Sequence, residues 1–231
     1  MLQSDQTIEH EVASLLGGDG IAIYHARIPN AMEVTPDTLR QMEADLPHAA
    51  SLLPASFALN AVGYACTSGA TLIGEDRVDQ IIRPNHPDAK TSNPITATKC
   101  ALTALNVERI ALLTPYAPDV TLEMQQNLRD AGFAINAVAT FNESDDFTVA
   151  RITSDSILQA VLSIGSRDDC DAVFVSCTSL RALDIIEQAE QQLGKPVISS
   201  NQALAWHLAQ IAGIESTPPD AGRLFKLRGH V

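Results

Sequence analysis

The sequence predicts an α/β fold. It is read as two pseudo-twofold-related lobes, each a small parallel sheet flanked by helices, with the active site in the cleft between them. Three observations predict this. Short continuous apolar runs read as buried strands, helix-like stretches ending at glycine alternate with them, and one half of the chain echoes the other at a spacing of roughly 110 residues.

The strand-like runs are IAIYHARI (21–28), LNAVGYAC (59–66), RIALLTPY (109–116), AINAVATF (134–141), DAVFVSC (171–177) and KPVISS (195–200). Most are continuous rather than alternating in polarity, as strands covered on both faces are. Residues 119–131 start at an acid and stop at Gly132. Residues 179–193 carry apolar positions at helical spacing and stop at Gly194. Each glycine is a natural helix end, because it adopts the left-handed conformation freely.

The repeat rests on Cys66 and Cys177, which lie 111 positions apart in the similar stretches ACTSG and SCTSL. The same offset sets Asp5 on Tyr116. SNPITATKCALTAL (92–105) loosely matches SNQALAWHLAQI (200–211), at offset 108. The lobes are read as 1–95 plus 202–231 (discontinuous) and 96–201. By this symmetry the first half should open with an apolar strand like IALLTPY, yet only Met1–Ser4 precede Asp5. A shortened first strand is expected rather than a start upstream of Met1.

Composition excludes several classes. The 231 residues are 45% hydrophobic, which supports a sizeable core. The net charge of −13 lacks the clustered cations that nucleic acid requires. No run of ~18 apolar residues suggests a membrane span, and the acidic MLQSDQTIEHE does not read as a signal peptide. Four cysteines without CxxC or CxH spacing suggest free thiols in a reducing cytoplasm, and the six histidines show no metal spacing. No phosphate-binding glycine loop is present, so no nucleotide cofactor is expected.

In a parallel sheet, ligands bind beyond the carboxyl ends of the strands, where both Cys-Thr-Ser motifs fall. A following helix start lowers a thiol pKa, and its N–H groups can hold a substrate carboxylate together with Thr67, Ser68, Thr178 and Ser179. A lone cysteine at a strand end is ordinarily a small core residue, the reading given to Cys100 and Cys170. Two motifs at equivalent points of a repeat argue instead for chemistry.

ACTSGATLIG (65–74), LLTPY (112–116), VSCTSLRAL (175–183) and SSNQALAWH (199–207) resemble the aspartate/glutamate racemase superfamily. Within it they resemble the branch of maleate cis-trans isomerases, arylmalonate decarboxylases and ectoine-utilisation proteins, as does HARIPNAMEVTPDTLRQM (25–42). SDQTIEHE (4–11) leans toward the ectoine-utilisation members. The resemblance implies a cofactor-independent enzyme acting on a small carboxylic acid, and a homo-oligomer. It implies that Cys66 is nucleophile or base, Cys177 the opposing acid/base, and Thr67 and Ser68 ligands of one carboxylate. Tyr116 matches a tyrosine that hydrogen-bonds a substrate carboxylate, and Thr178 would offer its backbone N–H. Arylmalonate decarboxylases have glycine at the first cysteine position, so two cysteines favour isomerisation or racemisation and leave decarboxylation a weaker alternative.

Maleate isomerases carry asparagine where this chain has Asp5, and another where Asp146 is the best match. Two carboxylates beside a dianion such as maleate would each cost on the order of 1–4 kcal/mol. The expectation is therefore a substrate carrying positive charge, with Asp5 and Asp146 pairing to it or relaying protons to the thiols. Maleate isomerisation proper remains the alternative, and a non-catalytic carboxylate-binding protein a weaker one.

Overall fold

The computed structural model describes residues 1–216 and 218–227. Along them run α1 (Ile8–Leu16), α2 (Pro36–Ser51), β1 (Ala61–Gly63), α3 (Thr67–Ile73), α4 (Glu75–Ile82), β2 (Lys90–Ser92), α5 (Pro94–Ala104) and β3 (Arg109–Thr114). There follow α6 (Pro118–Asp130), β4 (Ala134–Thr140), α7 (Asp146–Val149), α8 (Ser154–Gly165), β5 (Ala172–Val175), α9 (Leu183–Leu193), β6 (Val197–Ser199) and α10 (Ser200–Ala212). One sheet pairs β1 with β2, and the other has the order β4-β3-β5-β6. Every pairing is parallel, so each connection must cross over through a helix.

Burial explains the strand sequences. β5 and β6 are buried at every position and β3 at all but Arg109, so they read as unbroken apolar runs. The edge strand β4 instead alternates between half-buried and exposed positions. Ile110, Leu112, Leu113, Met124, Leu128, Ile157 and Phe174 are fully buried in the second lobe. Each such side chain stabilises the fold by about 1.5–3 kcal/mol on transfer from water. Helix α10 follows the second sheet in sequence but packs on β1 and β2 of the first, and on α1 and α5. Its start is fixed by a capping box between Ser199 and Gln202.

Three local expectations are corrected. The run 21–28 is not a strand: only Ile28 pairs, through a single parallel bridge to Leu2. A strand needs a neighbour to bond, and residues 22–25 have no backbone hydrogen-bond partner among the described residues. The helix expected from 179 begins at Leu183, because Ser179 is drawn into other bonds. Its carbonyl accepts the Thr7 hydroxyl at 2.9 Å, and its own hydroxyl donates to Asp146 at 3.0 Å. Conversely, β2 (Lys-Thr-Ser) is a strand without an apolar signature, formed because β1 offers it a parallel edge.

Candidate active site

Cys66 sits just beyond β1 and is the N-cap of α3, its Sγ accepting the Gly69 N–H at 3.3 Å. The Ser68 hydroxyl lies 3.7 Å from the same sulfur. Such a capping position satisfies an orphan helix donor and favours a negative sulfur. It also requires a glycine at 69. A Cβ there would lie 2.4 Å from the Tyr64 hydroxyl, 2.9 Å from Met42 Cε and 3.0 Å from Cys66 Sγ.

Cys177 lies two residues beyond β5 in a strained conformation, with φ +116°. Such backbone costs about 1–3 kcal/mol and persists only where its surroundings fix it. Here they do. The Cys177 N–H donates to Ser200 Oγ at 3.0 Å, Asn201 Nδ2 donates to the Thr178 carbonyl at 2.8 Å, and Thr7 holds the Ser179 carbonyl. Ser200 Oγ also accepts the Thr67 hydroxyl at 2.8 Å. The residue after the first cysteine and the amide of the second thus meet on one oxygen.

Both carboxylates named from the sequence are buried beside these thiols. Asp5 Oδ1 accepts the N–H groups of Thr7 (2.8 Å) and Ile8 (3.0 Å). Its Oδ2 is buried near the Thr178 side chain but closes no hydrogen bond. Burial therefore raises the Asp5 pKa, only partly offset by the two N–H groups and Thr178. Asp146 is bonded through one oxygen to the Ser179 hydroxyl and through the other to Ser4. Its N–H donates to the Met32 carbonyl at 3.2 Å, and the Val34 N–H donates to Ser144 at 2.8 Å. The segment around Met32–Val34 of the first lobe is thereby fastened to Ser144–Asp146 of the second.

Desolvation pushes both thiols up, Cys66 to about 11 and Cys177 further. The charged groups that act most on both are Asp146 and Asp5, which raise them too. Tyr116 is fully buried, and desolvation followed by the charges of Cys177 and Cys66 raises its pKa well above 10. Its hydroxyl approaches Cys177 and Ser68. At neutral pH both thiols and the phenol are protonated, so a thiolate forms only by proton transfer to a nearby carboxylate or on arrival of a cation.

The structure brings Asp5, Cys66, Thr67, Ser68, Tyr116, Asp146, Cys177 and Thr178 into one buried cluster drawn from both lobes. Cys66 is 3% and Cys177 7% exposed, so both thiols are withdrawn from bulk solvent. The Thr67 hydroxyl donates to Ser200, and Ser68 is the hydroxyl beside the Cys66 sulfur. Sequence reasoning assigned no role to Ser4, Tyr64, Ser200 or Asn201. All four lie inside or beside stretches it quoted, and the repeat of Ser-Asn at 92–93 and 200–201 was the available signal. Away from the cluster, His207 bonds Ser92 Oγ at 2.8 Å and stacks on Trp206, a packing role. Among the described residues no group of three His, Cys, Asp or Glu side chains is arranged to hold a metal.

The fold and this cluster define a two-lobed α/β protein with one thiol at a sheet end in each lobe, the plan of the aspartate/glutamate racemase-like branch. More particularly, residues 32–225 match the family described as Amdase, arylmalonate decarboxylase, and the chain belongs to that family. It is 26% identical over 233 residues to a maleate isomerase of Nocardia farcinica, covering 96% of this chain and 92% of that one. It is 31% identical over 132 residues to the arylmalonate decarboxylase of Bordetella bronchiseptica, covering 56% and 55%. A solved Nocardia farcinica maleate cis-trans isomerase, a cysteine-to-serine mutant with a covalently bound succinylcysteine intermediate, superposes with a TM-score of 0.88. Identity is 25% over 99% of this chain and 96% of that one.

Proposed function

We propose that this chain is a cofactor-independent isomerase or racemase of a small carboxylic acid, with Cys66 and Cys177 acting from opposite sides of the substrate. The substrate carries a positive group as well, as an amino acid or the amidinium carboxylate of ectoine does, and the site of action is ectoine catabolism. The observation that carries this reading is the shared Ser200 oxygen, which ties the two Cys-Thr-Ser motifs into one site beside two buried carboxylates. The resemblance and four free thiols further support a cytoplasmic homo-oligomer. No helix among the described residues is long and apolar enough to cross a membrane.

The chemistry follows from the charges. A substrate ammonium or amidinium near Asp5 Oδ2 supplies the partner that this oxygen otherwise lacks. The same cation lowers the cost of a thiolate nearby. One thiol gives its proton to a carboxylate, and the resulting thiolate takes the α-proton. The opposite thiol then delivers its own proton to the other face of the carbon. The carboxylate returns its proton to the second sulfur, so the proton count closes after each turnover. In this reading Ser68 and Tyr116 hold the substrate carboxylate while negative charge builds on it.

The named relatives favour a second reading, maleate cis-trans isomerisation. There the Cys66 thiolate adds to one alkene carbon, leaving a C–S bond and a freely rotating single bond. The electron pair returns after rotation, the double bond re-forms and the sulfur leaves. Asp5 and Asp146 oppose a dianion, which weighs against this reading.

Proton NMR in D₂O separates the two. The expected result is exchange of the α-proton of ectoine or an amino acid, abolished in both Cys66→Ser and Cys177→Ser. Conversion of maleate to fumarate without any α-proton exchange would establish the second reading instead. Neither reaction, with ligand binding retained, would make this a binding protein.

A further inference from the structure

One buried polar group beside the thiols has no partner. Tyr64 directly follows β1, is 2% exposed, and its hydroxyl makes no hydrogen bond to any described residue. A buried tyrosine ordinarily finds a partner for its O–H, and one left without it costs stability. An exception of this kind calls for a physical reason.

The position of the hydroxyl supplies one. The point that a Gly69 Cβ would occupy is 2.4 Å from the Tyr64 oxygen and 3.0 Å from Cys66 Sγ. Glycine at 69 thus leaves the phenol and the sulfur to share that space. Met42 Cε, 2.9 Å from the same point, is apolar and gives the phenol nothing to bond. Desolvation, followed by the charge of Cys66, holds the Tyr64 pKa well above 10. The phenol therefore keeps its proton at neutral pH and remains a donor.

The charge on the sulfur decides whether that donor is used. A thiol sulfur accepts hydrogen bonds weakly, whereas an anion draws strong ones. The repeat does not account for the phenol. At the 111-residue offset Tyr64 falls on Val175, which has no proton to give. The hydroxyl that approaches Cys177 belongs instead to Tyr116, which falls on Asp5. A buried phenol thus stands beside each sulfur, supplied from positions that the repeat does not relate.

We propose that the Tyr64 hydroxyl donates a hydrogen bond to Cys66 once the sulfur ionises, joining the Gly69 N–H on the same atom. The thiol proton leaves to a carboxylate and the phenol keeps its own. The donor is in place before the charge forms, so little reorganisation accompanies ionisation. This assignment rests on the reading of Cys66 as a reacting thiol and adds the group that stabilises its charged form.

The test is Tyr64→Phe, which removes the hydroxyl and keeps the ring. Iodoacetamide labelling at mildly alkaline pH, followed for each cysteine by mass spectrometry, reports the thiolate. Labelling of Cys66 is expected to slow at least about tenfold, with Cys100 and Cys170 unchanged. Tm should equal or exceed that of the parent, because a buried hydroxyl without a partner has been removed. Unchanged Cys66 labelling, whatever the Tm, would overturn the proposal. Should the reagent fail to reach the buried thiol, the Cys66 Cβ shift is followed by NMR against pH. A midpoint at least about one pH unit higher in the variant supports the assignment, and an equal midpoint overturns it. In α-proton exchange of ectoine and conversion of maleate, kcat should fall at least about tenfold with KM little changed. If the parent turns over neither compound, the proposed function fails, while the thiol measurements still decide the role of Tyr64.

Discussion

Thr67 and Ser200 are joined by a 2.8 Å hydrogen bond, and the same Ser200 oxygen receives the Cys177 amide at 3.0 Å. Thr67 follows one cysteine and Ser200 opens α10, so a helix that packs on the first sheet positions the thiol at the end of the second. This coupling fixes the strained Cys177 backbone relative to Cys66. It also gives the hydroxyl that follows the first cysteine a structural partner.

Thr67→Val tests that coupling. The substitution is close in shape and removes one buried donor, at a cost of about 0.5–1.5 kcal/mol in stability. The larger expected effect is local: iodoacetamide should label Cys177 at an altered rate, with Cys100 and Cys170 unaffected. Turnover should fall at least about tenfold with little change in KM, since the lost contact orients a reacting group. Unchanged labelling and unchanged turnover would mean the bond is incidental.

Gly69→Ala asks a packing question. The new methyl must displace the Tyr64 hydroxyl, Met42 Cε or the Cys66 sulfur, all at 3.0 Å or closer. The 2.4 Å contact to the Tyr64 hydroxyl is relieved only by a shift of that buried ring, while Met42 Cε and the Cys66 sulfur need give way less. Overpacking of this kind costs about 1–3 kcal/mol. Thermal denaturation should show a drop of several degrees, and loss of turnover should exceed what that drop explains.

Much of this could be read from residues alone, for physical reasons. Strands β3, β5 and β6 are buried on both faces, which forces an unbroken apolar sequence. Cys66 and Cys177 stood out because a duplicated motif repeats its chemistry at a fixed offset. What escaped was whatever depends on a distant partner. Lys90–Ser92 is a strand only because β1 is beside it, and 21–28 is not one because only Ile28 is paired, to Leu2. Ser200 and Asn201 gain meaning from an amide N–H and a carbonyl more than twenty residues away. The Thr67 hydroxyl's bond to Ser200 escaped for the same reason: its acceptor lies 133 residues along the chain.

Asp5→Asn should change which substrates are accepted. In the proposed reading the acid's unbonded oxygen pairs with a substrate cation, whereas an amide offers a neutral group to a second carboxylate. The ratio of kcat/KM for maleate over a zwitterionic acid is expected to rise at least about tenfold, equivalent to roughly 1.4 kcal/mol. Competition between the two substrates in one NMR tube gives the ratio directly. A uniform loss of both activities would make Asp5 a structural cap for α1 rather than a selector.

Glu11 predicts how stability depends on pH. Its carboxylate is buried between α1, α9 and α10, accepting the Leu183 N–H at 3.1 Å and Asn201 Nδ2 at 2.7 Å. Burial raises its pKa from 4.5 to about 7, with Asp184 and Asp5 pushing the same way and the two donors pulling back. The folded state therefore binds the proton more tightly than the unfolded chain does. Below pH ~4.5 the group is protonated in both states and costs nothing. Between pH ~4.5 and ~7 the unfolded chain ionises first, so stability falls as pH rises. Above ~7 the full penalty of roughly 3 kcal/mol applies. Glu11→Gln cannot ionise, so its Tm should decline less than that of the parent protein between pH 5 and 8. The gap closes by several degrees toward the alkaline end even if the amide is less stable at pH 5. Parallel Tm curves across that range would show that Glu11 does not titrate there.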